Sequence, residues 1–250
     1  MFKPQTELQV IVIMARILIG IDDTDNDTSP GTGRLARRLS SELQERGMRP
    51  LGVTRHQFLV DPAIPYTSHN SGACIAVVSA HGLEPTTFAF DFVARHSAKG
   101  SDPGVCIAWA SGVSPSVVRF AHDATENVLE MEDAYRVAKS ASIELRGLGG
   151  SCQGVIGALA CVGLRAEGSE GRFIDLPGLR ELPRYVDAET YENIGIKVQY
   201  RSSREPDPKD RYDTLGWVRP RLVDGEPVLE LEWSKENDVW VPVDRKKNRN

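Results

Sequence analysis

The chain has 250 residues, 40% of them hydrophobic, and its 35 acidic and 30 basic side chains leave a formal charge of -5. That composition suits one large or two small globular domains and excludes a disordered, collagenous or strongly basic chain. A polyanion partner would need a local basic patch, and the one long basic run, Arg245 to Arg249, reads as a solvated tail.

The apolar stretch from Leu8 to Ile21 is interrupted by Gln9 and Arg16 and is too short to span a bilayer, so neither a membrane partner nor export is expected. Residues 1–14 read as an N-terminal extension ahead of the first strand. Arg16 to Ile21 is a near-continuous β-branched and leucine run, the pattern of an interior strand covered on both faces. Leu35, Leu39 and Leu43 then recur every fourth residue among polar positions, which predicts an amphipathic helix stopped by Gly47. Leu51 to Val60 and Ala73 to Ala80 read as strands around a loop rich in Pro, Ser and Asn. Helices are expected over Thr86 to Arg95 and over Pro115 to Ala141, with a short strand, Cys106 to Ala110, between them. A glycine-rich turn then leads into an apolar helix from Gly154, followed by a strand over Phe173 to Leu176. Beyond residue 201 the pattern alternates like strands joined at Asp224-Gly225, a hairpin signal.

These elements predict an α/β fold in the α+β sense, a mixed sheet with flanking helices. Residues 15–200 form the expected core, within which 61–140 is a candidate inserted ferredoxin-like subdomain, and 201–250 form a small β-rich extension. Cys74, Cys106, Cys152 and Cys161 contain no C-x-x-C spacing, so neither a zinc ribbon nor a disulfide framework is indicated and a cytoplasmic location is expected.

Chemistry concentrates in three places. The first strand runs directly into Asp22, Asp23, Asp25 and Asp27. Asp and Asn are favoured turn residues, so a solvated turn is one reading. Carboxylates this crowded also suit a hard cation completed by substrate phosphates, and physics alone leaves the two readings level. The turn at Gly147 to Gly157 offers backbone N–H groups at a helix start, as phosphate sites do. It lacks the P-loop Lys-Ser/Thr pair, and by itself favours simple close packing. The loop "IPYTSHNSGA" carries His69, Asn70 and Ser71, ordinary loop residues that also suit a polar ligand.

Taken together, "IGIDDTDN", "IPYTSHNSGA", "GVIGALACVG" and "TYENI" appear in the order found in the archaeal agmatidine synthetases, and the chain resembles that family from about Arg16 to Gln199. Those enzymes use ATP and Mg²⁺ to phosphorylate the C2 carbonyl oxygen of a tRNA wobble cytidine, and agmatine then displaces the phosphate. The resemblance implies that Asp22, Asp23 and Asp25 are the catalytic and metal-coordinating acids, with Asp22 and Asp25 on Mg²⁺. It also implies that the Gly149 to Gly154 region, with Gly149, Gly150, Ser151 and Gly154, cradles nucleotide phosphate. Gly31 and Thr32 are further nucleotide-binding candidates, and Arg55, His69, Asn70 and Ser71 are assigned to the substrate. The family's G-M-C-T-T is here Gly31 to Leu35, with Thr32 displaced as its hydroxyl. The basic pair of the family's I-P-Y loop is here Thr67 and His69, and residues 201–250 hold no counterpart of its OB-fold and zinc ribbon.

The expected activity is therefore that of an ATP/Mg²⁺-dependent phosphotransferase or ligase that activates a carbonyl or amide oxygen of a small polar substrate. No tRNA binding is expected without a partner. The alternatives are a tRNA cytidine-modifying enzyme with a separate tRNA-binding partner and a non-catalytic ligand-binding homologue. Self-association is left open.

Overall fold

The computed structural model describes residues 14–64, 69–80 and 84–243. The extension ahead of the first strand, Thr67 and Ser68, and the Arg245 to Arg249 run lie outside the described residues. Strand β1 (Met14–Asp22) is followed by α1 (Thr32–Glu45), β2 (Arg49–Gln57), β3 (Ser71–Ala80), α2 (Thr86–His96) and β4 (Gly104–Trp109). Next come α3 (Pro115–Glu126), α4 (Met131–Ser140), β5 (Glu144–Gly147), α5 (Gly154–Glu167) and β6 (Arg172–Asp175). The remainder is β7 (Tyr185–Val186), α6 (Ala188–Asn193), β8 (Lys197–Tyr200), β9 (Tyr212–Asp213), β10 (Arg221–Val223), β11 (Glu226–Ser234) and β12 (Val239–Pro242).

The strands form one mixed sheet of 12 in the order β5-β4-β1-β3-β2-β6-β10-β11-β12-β9-β7, with β8 beside β11. Pairing is antiparallel around β1 and parallel only at β8/β11 and β9/β12 among the described residues. β1 is covered on both faces, as its sequence predicts. Ile17, Ile19 and Ile21 point into one cluster with Leu35, Leu39 and Leu43 of α1 and Phe92 of α2. Leu18 points into a second cluster with Val117 and Phe120 of α3 and Leu159 and Val162 of α5. The period of two along the strand thus separates two helical layers, and each fully buried side chain of this size contributes about 1.5–3 kcal/mol.

Three expectations change. The segment over Pro115 to Ala141 is two helices, broken at residues 127–130, because Asn127 turns extended and Glu130 begins a new helix. Residues 61–140 supply β3 and β4, which flank β1 on its two sides, so this segment is woven into the central sheet. The packing of the β-rich end starts earlier than residue 201: a third cluster joins Phe173, Leu176 and Tyr191 to Leu229, Leu231 and Trp240. The hairpin forms where expected, with Asp224 and Gly225 both at positive φ, 50° and 80°.

Candidate active site

The acidic loop leaves β1 at the floor of a cleft of about 600 Å³. Its walls come from the start of α1, the end of β2, the start of β3, the break between α3 and α4, and the first turn of α5.

Asp22 is the last residue of β1, and its carboxyl group is wedged between β3 and α5. Burial pushes its pKa up to about 7; an N–H bond from Asp23 opposes this, and the charges of Asp23 and Asp25 add to it. Asp23 adopts a left-handed backbone with φ 52°, an uncommon state for a non-glycine residue that the surrounding structure must enforce. Its pKa is raised to about 6, first by burial and then by the carboxylates of Asp102 and Asp25, against a bond from the Asp102 backbone. Two carboxyls that titrate near neutrality beside further acids are suited to proton transfer or to a cation that relieves their repulsion.

Asp25 serves α1. Gly31, the residue that opens the helix, has no side chain to cap it. Asp25 Oδ1 instead accepts the Thr32 N–H at 3.2 Å and the Thr32 hydroxyl at 2.7 Å. Thr32 Oγ1 in turn accepts from the backbone N–H of Thr24 at 3.2 Å and from its hydroxyl at 3.0 Å. The hydroxyl thereby uses its one donor and both acceptor positions, which fixes the acidic loop to the helix start.

Across the cleft stand Arg34 and Arg37 of α1 and Arg55 of β2. Arg55 donates from Nε to Ser71 Oγ at 2.9 Å, so two residues singled out in sequence meet directly. Burial, and then Arg219, lowers the Arg55 pKa; burial, and then Arg180, lowers that of Arg37. Each cleft arginine thus has a second arginine near it outside the lining, Arg219 for Arg55 and Arg180 for Arg37, with Asp25 and Asp175 acting against them. Asn70 braces the neighbouring loop by donating to the Leu59 carbonyl at 2.6 Å, and the exposed His69 is at the cleft edge.

Of the sequence-derived site residues, Asp22, Asp23, Asp25, Gly31, Thr32, Arg55, His69, Asn70, Ser71 and Gly154 line this one cleft. Gly149, Gly150 and Ser151 do not. The Ser151 N–H donates to the Asp102 carboxylate, the Cys152 N–H to the Gly149 carbonyl at 3.0 Å, and the Gly154 N–H to the Asp102 carbonyl at 3.0 Å. The turn spends these donors on itself and on Asp102. Sequence reasoning missed Arg34, Arg37, Asn127, Gln153 and Trp217, which also line the cleft, and Asp102 behind it. Arg34 and Arg37 were visible as polar positions of the amphipathic helix, but nothing in that pattern aimed them at the acids.

Among the described residues, no group of three or more His, Cys, Asp or Glu side chains is arranged to hold a metal unaided. The donor set fits a Mg²⁺ ion held by one or two carboxylates and completed by phosphate oxygens. No described helix is long and apolar enough to cross a membrane.

No protein-family model matches the sequence. The chain is homologous to the isoleucine-tRNA 2-agmatinylcytidine synthetase TiaS of Methanosarcina mazei, 28% identical over 242 residues, and to that of Methanosarcina acetivorans, 29% identical over 242 residues. Each alignment takes in 91% of this chain and 47% of the relative, so the chain spans about half the length of the relatives it matches. The solved complex of TiaS with its isoleucine tRNA and ATP aligns over 60% of this chain and 36% of its own, at 27% identity and a TM-score of 0.50. The complex with the same tRNA, AMPCPP and agmatine aligns over the same shares, 60% and 36%, at 26% identity and a TM-score of 0.51. The resemblance read from the motifs is thus a homology to part of TiaS.

These comparisons overturn the expectation of a small polar substrate without tRNA, since the relatives are named for an isoleucine tRNA and TiaS is solved bound to it. The physical source of the error is visible in the fold. Basic residues that form no run in sequence are gathered by folding at one cleft mouth.

Proposed function

We propose that this chain carries an ATP-dependent catalytic core that activates a base carbonyl oxygen of a tRNA, a cytidine by analogy with the relatives, for displacement by an amine. The observation that carries this reading is the meeting, in one cleft of about 600 Å³, of Asp22, Asp23 and Asp25 with Arg34, Arg37 and Arg55. Such a pairing suits phosphoryl transfer, where catalysis is mainly positioning and charge neutralisation. The homology to an enzyme solved with ATP supports it.

In this scheme Arg34, Arg37 and Arg55 hold the phosphate chain from the basic wall. Asp22 and Asp25 are the candidate ligands for Mg²⁺, which when bound would neutralise charge on the phosphate oxygens. Asp23, with a pKa of about 6, takes up a proton as the amine attacks. Phosphorylation turns the carbonyl oxygen into a leaving group: the new C–N bond forms as the C–O bond to the phosphorylated oxygen breaks. Thr32 and Thr24 keep the acidic loop in register with α1. His69, Asn70 and Ser71 face the base at the open side.

The test uses the full chain, γ-labelled ATP, Mg²⁺ and unmodified tRNA transcripts, with and without agmatine. The expected result is ATP consumption that depends on tRNA, with label passing to the RNA when the amine is withheld. Asp23→Asn abolishes turnover in a protein that stays folded. ATP consumption indifferent to tRNA, or full turnover by Asp23→Asn, overturns the reading.

A further inference from the structure

Trp217 is the exposed aromatic ring at the cleft rim, 41% accessible. This ring is held at the rim by a built turn. Leu215 and Gly216 take positive φ, 53° and 82°. The Trp217 N–H donates to the Thr214 carbonyl at 3.1 Å, the Leu215 N–H to Asp213 Oδ1 at 2.8 Å, and the Gly216 N–H to Thr214 Oγ1 at 3.2 Å. Val218 is buried immediately after and anchors the turn in the core.

Two arginines lie against the ring. Arg219 Cζ is 4.0 Å and Arg180 Cζ 5.1 Å from its centroid. Arg180 is oriented by Asp175 at 3.7 Å and donates to the Ile174 carbonyl at 3.1 Å. The same arrangement recurs at Tyr185. Tyr185 is 43% exposed, with Arg211 Cζ at 4.2 Å and Arg184 Cζ at 5.3 Å from its ring. Tyr185 pairs with Asp213 in β7/β9, and the Arg184 carbonyl accepts the Thr214 N–H at 2.8 Å, so one frame carries both rings.

We propose that Trp217 and Tyr185, with Arg180, Arg219, Arg184 and Arg211, form a stacking track for single-stranded RNA that leads to the catalytic cleft. Exposed aromatic faces interleaved with guanidinium groups are the combination that binds unstacked bases while neutralising the backbone between them. A nucleotide on Trp217 is next to the one in the cleft, because Trp217 lines both. The track rests on the tRNA reading above and adds the residues that hold the strand.

Two properties are measured on the full chain: affinity for an anticodon stem-loop across a salt series, and quenching of tryptophan fluorescence by the same RNA. Trp217→Ala is expected to weaken binding by roughly 5- to 100-fold with the salt slope unchanged, while Trp217→Phe keeps most of the affinity. Arg219→Ala should lower the magnitude of the salt slope by about one. Tyr185→Ala should weaken binding to long single strands more than to the stem-loop. RNA affinity that is the same in wild type, Trp217→Ala and Tyr185→Ala overturns the track, as does the absence of any RNA binding by wild type. A Trp217-dependent affinity together with no tRNA-dependent ATP consumption leaves the track standing and rejects the catalytic reading instead. Affinity of this surface for an acidic protein but not for RNA also overturns it.

Discussion

The Asp22 carboxylate occupies the space that a side chain at position 157 would need. A Cβ on Gly157 would collide with Asp22 Oδ2, and Oδ1 of the same carboxylate lies 3.2 Å from where a Cβ on Gly72 would stand. The group is clamped between α5 and β3, which explains why a carboxyl at a strand end is buried at all. The glycine of the helix serves the acid of the strand.

Gly157→Ala is therefore expected to destabilise the protein by about 1–3 kcal/mol in urea unfolding, although Ala is the better helix former by up to about 1 kcal/mol. In the Asp22→Gly background the same change should cost clearly less, because the collision with the carboxylate is gone and only the approach to the Phe58 ring at 2.9 Å remains. Equal costs in the two backgrounds would show that the residues do not share this space.

Thr32 carries the second expectation. Its hydroxyl ties Asp25 to Thr24 through bonds of 2.7 and 3.0 Å. Thr32→Val keeps the shape and removes that bond centre, leaving a partly buried carboxylate and a buried hydroxyl short of a partner. A loss of about 1–3 kcal/mol is expected in thermal or urea unfolding, with weaker binding of Mg²⁺-ATP as Asp25 shifts. Thr32→Ser should restore most of both. If Thr32→Ser is as damaging as Thr32→Val, the methyl packing matters and the hydroxyl does not.

The parts of this molecule that sequence made legible are those ruled by local pattern. The alternation in β1, the fourfold leucine spacing of α1 and the Asp224-Gly225 turn each report a constraint contained within a few residues. The acidic loop was legible for the same reason, since its crowding is written in consecutive positions. The break at Asn127 was not: "ENVLEM" carries neither glycine nor proline, and its apolar residues continue the helical spacing. The cleft's basic wall was hidden by topology. Arg34 and Arg37 come from a helix and Arg55 from a strand, while Arg180 and Arg219, in two loops outside the lining, act on Arg37 and Arg55. Net charge could not reveal a patch assembled that way. Gly150 shows the converse: its glycine-rich turn looked like a phosphate cradle, while Asp102 already fills the space beside it.

The last expectation concerns pH. Asp22 and Asp23 are raised to about 7 and about 6, well above the ordinary aspartate value of 3.8. The folded chain thus holds their protons more tightly than the unfolded chain does. Their contribution to stability is full below about pH 4 and is lost as pH rises through the folded values. His56 tilts the other way. It is buried, its Nε2 is 2.8 Å from Thr54 Oγ1, and burial lowers its pKa from 6.5 to about 3. Its contribution is full above about pH 6.5 and is lost as pH falls toward the folded value. The slopes oppose each other, but two acids outweigh one histidine, so wild type in chelator-treated buffer should lose on the order of 1–3 kcal/mol as pH rises from about 4.5 to 7.5. Asp22→Asn should gain on wild type as pH rises, by on the order of 1–3 kcal/mol across that range, at no more than about 1.4 kcal/mol per pH unit. His56→Gln should gain on wild type as pH falls, whatever its stability at neutral pH. Urea unfolding at five or six pH values measures both slopes. Stability curves that run parallel for wild type and both variants would show that neither group changes its proton affinity on folding.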